Sequence, residues 1–224
     1  MVIAYGTGFY GKVATLNNQW IETKFFHILF VPIFPISSIL VTSSAWRSRN
    51  GINIANHKKS IIATYARTVT LLIAAWTLYI TFWGYNYYET PQDARNAFIM
   101  HLIFALIFAS AAIYFFFFYS KATADEISAR NKMGSITNIY GLPHWFEYPY
   151  LMDKLRGFLL EYKNKYPDRD WKADLRAGHV EKEKRPLLYA IALFNCMVYD
   201  LPENDELYAK ADGIYDPEPQ VKSA

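Results

Sequence analysis

Apolar positions change their period twice along this chain. In the first 67 residues, β-branched and aromatic side chains come in short runs broken by Gly, Pro or Asn, as strands and their turns do. Strands are expected at Val2–Tyr5, Gly11–Thr15, Trp20–Lys24, Phe25–Val31 and Ile36–Thr42, with Leu16-Asn-Asn-Gln19 as a hairpin turn. Pro32 and Pro35 have no N–H for a ladder, so they belong at an edge or a bend. Gly51 to Ala55 reads as a last strand before a basic helix.

The pattern then turns uniformly apolar. Thr68 to Tyr88 is 21 residues without Asp, Glu, Lys or Arg, and Asn96 to Ser120 is 25 more. At about 1.5 Å per residue, about 20 residues cross a hydrocarbon layer of about 30 Å. Neither window carries the polar stripe of a helix on a soluble surface. Pro91 suits a tight turn between antiparallel spans. Trp83, Tyr85, Tyr87 and Tyr88 would form an outer aromatic belt, with Tyr114 and Tyr119 at the inner interface.

Beyond residue 120 the period becomes helical. Thr123 can cap a helix that opens Ala-Asp-Glu, with carboxylates at its positive end, and Gly141 stops it. After Pro149, the residues Leu151, Leu155, Phe158, Leu159 and Tyr162 fall on one helical face. Pro167 ends that helix, and Trp171–Ala177 makes a short one. Residues 187–199 carry no charge but are too few to span, and read as the central helix of a small bundle. Glu181-Lys-Glu-Lys-Arg185 reads as its solvated start, and Asp205–Ala211 as a last turn or two. The expected fold class is an α+β membrane protein. A basic antiparallel β domain occupies 1–67 and a transmembrane hairpin 68–120, with spans near 68–88 and 97–119. A cytoplasmic helical domain occupies 121–211, and an acidic, proline-containing tail 212–224.

Charge sets the threading. The 20 residues before the first span hold Arg49, Lys58, Lys59 and Arg67, and the 20 after the second hold Lys121, Arg130 and Lys132, against Arg95 alone between the spans. This bias places both termini in the cytoplasm. Met1-Val-Ile-Ala-Tyr-Gly lacks a basic n-region and a long apolar h-region, so the first span is expected to serve as the uncleaved insertion signal. Lys and Arg number 23 against 20 acids, too even for nucleic-acid binding by bulk charge. The β domain is more biased, with seven basic residues and only Glu22 as an acid, which suits anionic lipid headgroups. A single cysteine, Cys196, excludes an intramolecular disulfide framework, and its apolar surroundings predict a core thiol.

Glu22-Thr-Lys-Phe-Phe-His-Ile-Leu-Phe-Val-Pro-Ile-Phe-Pro-Ile-Ser-Ser38, with its apolar-Pro-x-x-Pro pattern, resembles the small zinc-ribbon-like N-terminal sheet of uncharacterised, mostly bacterial membrane proteins. The resemblance covers residues 5–45. It implies a membrane-anchored domain, in a bacterial inner membrane, and supplies no catalytic residues. The zinc-ribbon cysteines are missing here, so no metal carries over.

Candidate chemistry is sparse. Gly6-Thr-Gly-Phe-Tyr-Gly-Lys-Val13 matches the phosphate-covering loop of protein kinases, yet no V-A-I-K, H-R-D or D-F-G follows, so glycines at bulged strand positions are expected instead. His27, His57, His101, His144 and His179 show no paired metal-ligand spacing. His101 lies about one turn inside the second span, near interfacial water. Glu22, His27, His144 and Glu147 form the one candidate site; within it His144 and Glu147 could do acid–base work or simply make a hydrogen-bonded structural turn. Ala105, Ala109 and Ala112 form a candidate small-residue seam, within the hairpin or between two copies. No cofactor or metal is expected. The expected partners are the lipid bilayer and proteins of a membrane complex or a second copy, with no nucleic acid. The leading expectation is a non-enzymatic two-span scaffold or accessory subunit presenting two cytoplasmic modules. The alternative is a membrane-anchored enzyme or ligand sensor, with a site between the β and helical modules.

The threading predicts an accessibility pattern. A membrane-impermeant thiol reagent added to intact cells should label a cysteine placed at Gln92 and miss one placed at Ser223. Labelling at Ser223 would reverse the orientation.

Overall fold

A computed structural model describes residues 5–45, 48–83 and 90–215. The described chain is α+β, with a four-stranded antiparallel sheet followed by seven helices. It divides into two compact units, Met1–Gly51 with Asn56–Ala122, and Ile52–Ala55 with Thr123–Ala224. The expected strand at Val2–Tyr5, apart from Tyr5, lies outside the described residues, as do Tyr85, Tyr87, Tyr88 and the tail beyond Tyr215.

The sheet is a meander of β1 (Tyr5–Leu16), β2 (Gln19–Ile28), β3 (Val31–Ala45) and β4 (Ser48–Ile54), of which all but the last three residues of β4 belong to the first unit. Asn17 and Asn18 form the first hairpin turn with φ of 47° and 59°, the left-handed pair that a tight two-residue hairpin needs. The second turn falls where a continuous Phe25–Val31 strand was expected. Ile28 pairs with Val31, and the connection is Leu29-Phe30, with φ of 49° and 67°. Bulky residues do not favour that region, at a cost of about 1–2 kcal/mol each. Both side chains are nonetheless exposed, Leu29 at 59% and Phe30 at 75%. The prolines, expected as separators between strands, lie inside β3. Pro32 pairs opposite His27 and Pro35 opposite Phe25, and a register shift beside each absorbs the missing donor.

β1 is also bulged, with register shifts between Tyr10 and Val13 and between Val13 and Leu16. Gly11 (φ 70°) and Ala14 (φ 52°) sit at these irregularities. The shifts turn backbone groups out of the ladder. Gly11 O accepts from Ser60 Oγ at 2.7 Å, and Ala14 N donates to Ser120 O at 2.6 Å. A Cβ on Gly11 would collide with Ser60 O and Thr64 Oγ1. The other glycines of the kinase-like motif have a packing reason too, because the His27 imidazole lies over Gly6 and Gly8.

Two long helices complete this unit, α1 (Lys58–Trp83) and α2 (Pro91–Phe117). Thr90 caps α2 by accepting from Asp93 N, and Pro91 occupies its first turn, where no donor is lost. The helices pack along buried small residues: Thr70, Ala74 and Thr81 on α1, and Ala94, Ala105 and Ala112 on α2. The spacings of 4 and 7 on α1, and of 11 and 7 on α2, keep each set on one face. Ala109, between the last two, is half-buried. The hydroxyls of Thr64, Thr68, Thr70, Thr77 and Thr81 donate to carbonyls one turn back in their own helix, so they need no outside partner. Both helices are long and apolar enough to cross a membrane.

The second unit is a helical cluster. It contains α3 (Ala124–Thr137), α4 (Tyr148–Lys165), α5 (Trp171–Ala177), α6 (Arg185–Val198) and α7 (Pro202–Ile214). α6 is its centre, buried continuously from Leu187 to Asn195. α4 packs on it, with Leu151 and Leu155 buried and the Phe158 ring 5.5 Å from Phe194. Thr123 caps α3 by accepting from Glu126 N, and Asn138 ends that helix in the left-handed region, three residues before the expected Gly141. The stretch 52–55 joins this unit by pairing Ile54 with Phe146, and Ala55 N donates to Trp145 O at 2.8 Å.

Gly11 offers a stability test. Gly11→Ala should cost about 1–3 kcal/mol, from left-handed strain and the collision with α1, and should lower the melting temperature in detergent. Gly157→Ala on α4, where an added Cβ meets nothing within 4 Å, should leave it unchanged or raise it.

Candidate functional site

The densest polar construction in the first unit lies where the sheet meets the foot of α1. Thr23, Ser38 and Ser60 are fully buried and bond to one another. Each hydroxyl has one proton, and this fixes the direction of the chain. Ser60 donates to Gly11 O and Thr23 donates to Ser60 at 2.9 Å, so Ser38 donates to Thr23 at 2.8 Å. His57 N closes the series by donating to Ser38 Oγ at 3.0 Å. The His57 side chain then caps α1, its Nδ1 accepting from Ser60 N at 3.3 Å.

One turn beyond Thr64, Arg67 joins three elements. Its Nε donates to Phe115 O at 3.0 Å, its Nη2 to Lys12 O at 3.1 Å, and the guanidinium lies 4.9 Å from the Phe116 ring centre. Lys59 Nζ donates to Lys121 O at 2.6 Å. α2 has no basic residue in its own last turn, and α1 supplies the cations that its carbonyl end favours. The period and charge of the sequence mark Arg67 only as a flanking charge, because its partners lie 48 and 55 residues away.

The four residues of the expected candidate site are held as follows. Glu22 and His27 both lie on β2, five residues apart, and so point to opposite faces of the sheet. Glu22 is buried against Arg49, with Oε2 2.5 Å from Nε. His27 lies on the helix-facing side, where Nδ1 is 3.0 Å from Tyr10 Oη. That ring also stacks with Phe30 at 6.1 Å. His144 and Glu147 belong to the second unit. His144 is exposed, with its ring 6.0 Å from Trp145. Glu147 is exposed at the N-terminus of α4, and its carboxylate makes no cap bond. His101 is half-buried on α2. Among the described residues, no group of three His, Cys, Asp or Glu side chains gathers to hold a metal.

Two buried cations organise the second unit, and neither is legible as such in the sequence. Arg130 is fully buried on α3. Its Nε donates to Tyr140 O at 2.7 Å, its Nη1 to Glu126 Oε1 at 3.1 Å, and its guanidinium lies 5.3 Å from the Trp145 ring centre. Burial lowers its pKa, and Glu126 partly offsets that. Gly134 makes room for the Tyr140 ring beside it. Lys184 corrects the expectation of a solvated helix start at 181–185. Its side chain is only 8% exposed, 3.2 Å from Glu181, 3.9 Å from Asp174 and 4.7 Å from the Tyr166 ring centre. A single 3-10 turn, Lys182–Lys184, rolls it inward while Lys182 and Glu183 stay outside. Tyr162 donates to Asp174 at 2.6 Å, and burial with that carboxylate pushes its hydroxyl pKa upward.

Cys196 is half-buried on α6, where its Sγ donates to Asp205 Oδ1 at 3.0 Å. Burial, then the Asp205 carboxylate, push the thiol up to about 11. These arrangements bind helices to one another. Comparison with protein-family models, curated proteins and solved structures gives no match to this chain.

The thiol carries a pH prediction. A raised pKa means less thiolate at any pH below about 11, and the thiolate is the reactive form. Iodoacetamide should therefore modify folded Cys196 more slowly at mildly alkaline pH than the denatured chain. Asp205→Asn should speed the folded reaction, and should move the midpoint of its pH–rate profile downward.

Proposed function

We propose that the chain is a two-span integral membrane protein that serves as a non-enzymatic scaffold or accessory subunit, with both soluble modules and both termini in the cytoplasm. One observation carries the membrane part. α1 and α2 bury little beyond their small-residue seam, and only 11% of the most apolar stretch of α2 is buried. Among the described residues, nineteen large apolar side chains from Val69 to Phe118 are exposed. Burying one is worth about 1.5–3 kcal/mol, so exposing all of them to water forgoes more than the roughly 5–15 kcal/mol net stability of a domain. Lipid removes that conflict. The threonine hydroxyls turned back onto their own helix suit the same solvent, which offers no hydrogen bonds.

The scaffold part rests on how the polar residues are used. Glu22, His27, Arg67, Arg130 and Lys184 each hold neighbouring elements in place. In this reading the basic sheet faces the headgroups and the helical module presents a docking surface to other proteins of the membrane.

Both parts are open to test. Membranes washed with alkaline carbonate should retain the chain, and purification in mild detergent should bring down partners in fixed stoichiometry. Release by carbonate into a monodisperse soluble fraction would overturn the membrane reading. A lone monomer in mild detergent would overturn the scaffold reading.

A further inference from the structure

The β2–β3 turn is strained, apolar and bare. Leu29 and Phe30 both occupy the left-handed region, where Asn and Gly are the residues that fit easily. Around them Tyr5, Ile28, Ile33, Phe34 and Ile36 are also exposed, so apolar side chains crowd this end of the sheet. The opposite hairpin, also left-handed at both positions, uses Asn17-Asn18. One chain thus solves the same backbone problem with polar residues at one end of the sheet and with Leu-Phe at the other.

Contacts within the unit fix the direction of that end. Thr23 of β2 meets Ser60 of α1, and further along β2 the Phe25 ring meets Tyr65 at 5.5 Å. Tyr65 Oη then donates to Ile33 O at 2.8 Å, closer still to the turn. The sheet therefore advances toward Leu29-Phe30 as α1 advances toward its charge-free segment. Six residues from Thr23 to Leu29 carry the strand about 20 Å, or about 15 Å if it is tilted by about 40°. Eight residues from Ser60 to Thr68 raise α1 about 12 Å. The turn reaches at least the level at which α1 loses its charges.

We infer that Leu29-Phe30 is a third lipid contact, a hairpin tip seated at the headgroup–acyl boundary of the leaflet that receives the foot of α1. The inference rests on the membrane reading above. The occupant is lipid because these exposed apolar side chains lie at the level at which the charge-free segment of α1 begins. Lys58, Lys59 and Lys121 lie at the foot of the two helices, as cations beside anionic headgroups do. The tip fixes the tilt of the sheet against the bilayer.

The test uses the full chain with Cys196→Ser, reconstituted into phosphatidylcholine–phosphatidylglycerol vesicles. An environment-sensitive fluorophore is placed in turn at Phe30→Cys, at Asn18→Cys on the far hairpin and at Ile107→Cys on the exposed face of α2. The Phe30 probe should be quenched by a nitroxide high on the lipid acyl chain, and should be severalfold less sensitive to aqueous iodide than the Asn18 probe. Leu29→Cys should report the same if the Phe30 variant folds poorly. A tip probe as open to iodide as Asn18, with the Ile107 probe still quenched by lipid, would overturn this inference and leave the membrane reading standing. An Ile107 probe open to iodide would overturn both.

Discussion

Arg67 is the last charge before α1 becomes uniformly apolar, and the first unit is organised around it. A guanidinium at that position needs acceptors, because an unpaired charge at the edge of an apolar segment is costly. It finds them in two carbonyls on different elements, Lys12 O on β1 and Phe115 O on α2. Satisfying one side chain thereby fixes the sheet to both helices. The bulges of β1 make this possible. A regular strand would keep its backbone groups in the ladder, whereas register shifts at Gly11 and Ala14 turn Gly11 O toward Ser60 and Ala14 N toward Ser120.

The same economy recurs wherever polarity is buried. The Thr23, Ser38 and Ser60 hydroxyls form a single directed series that ends on a backbone carbonyl, so every proton in it has an acceptor. In the second unit, Arg130 joins Glu126, Tyr140 and Trp145, and Lys184 joins Asp174, Glu181 and Tyr166. Removing one partner from a buried pair leaves an uncompensated charge, at about 3–5 kcal/mol. Such groups hold helices whose apolar contact is modest, as with α3, which buries only Arg130, Met133 and Gly134.

Much of the architecture was legible in local pattern. The described parts of the two charge-free windows lie largely in helices, α1 as far as Trp83 and α2 as far as Phe117, the Thr123 cap fell where a threonine precedes Ala-Asp-Glu, and the Asn17-Asn18 turn fell where two asparagines separate apolar runs. The misplaced elements have a common cause. Phe25–Val31 reads as one strand because nothing in Leu29-Phe30 announces a turn, and a propensity argument cannot anticipate bulky residues in left-handed backbone. Pro32 and Pro35 read as breaks because bulges that tolerate proline are set by the partner strand. Glu22 and His27 were named together as residues of one candidate site, and their odd separation along β2 places them on opposite faces of the sheet.

By itself the sequence determined two apolar segments of spanning length, the charge bias around them, and the starts of most helices. Those properties depend on neighbours a few residues apart, which periodicity and composition record directly. Only the tertiary structure decided that Arg67 ties β1 to α2, that Arg130 and Lys184 are buried, and that a strained apolar turn points along α1. Each depends on contacts between residues distant along the chain, or on a backbone conformation held by packing, and a linear pattern of polar and apolar positions encodes neither.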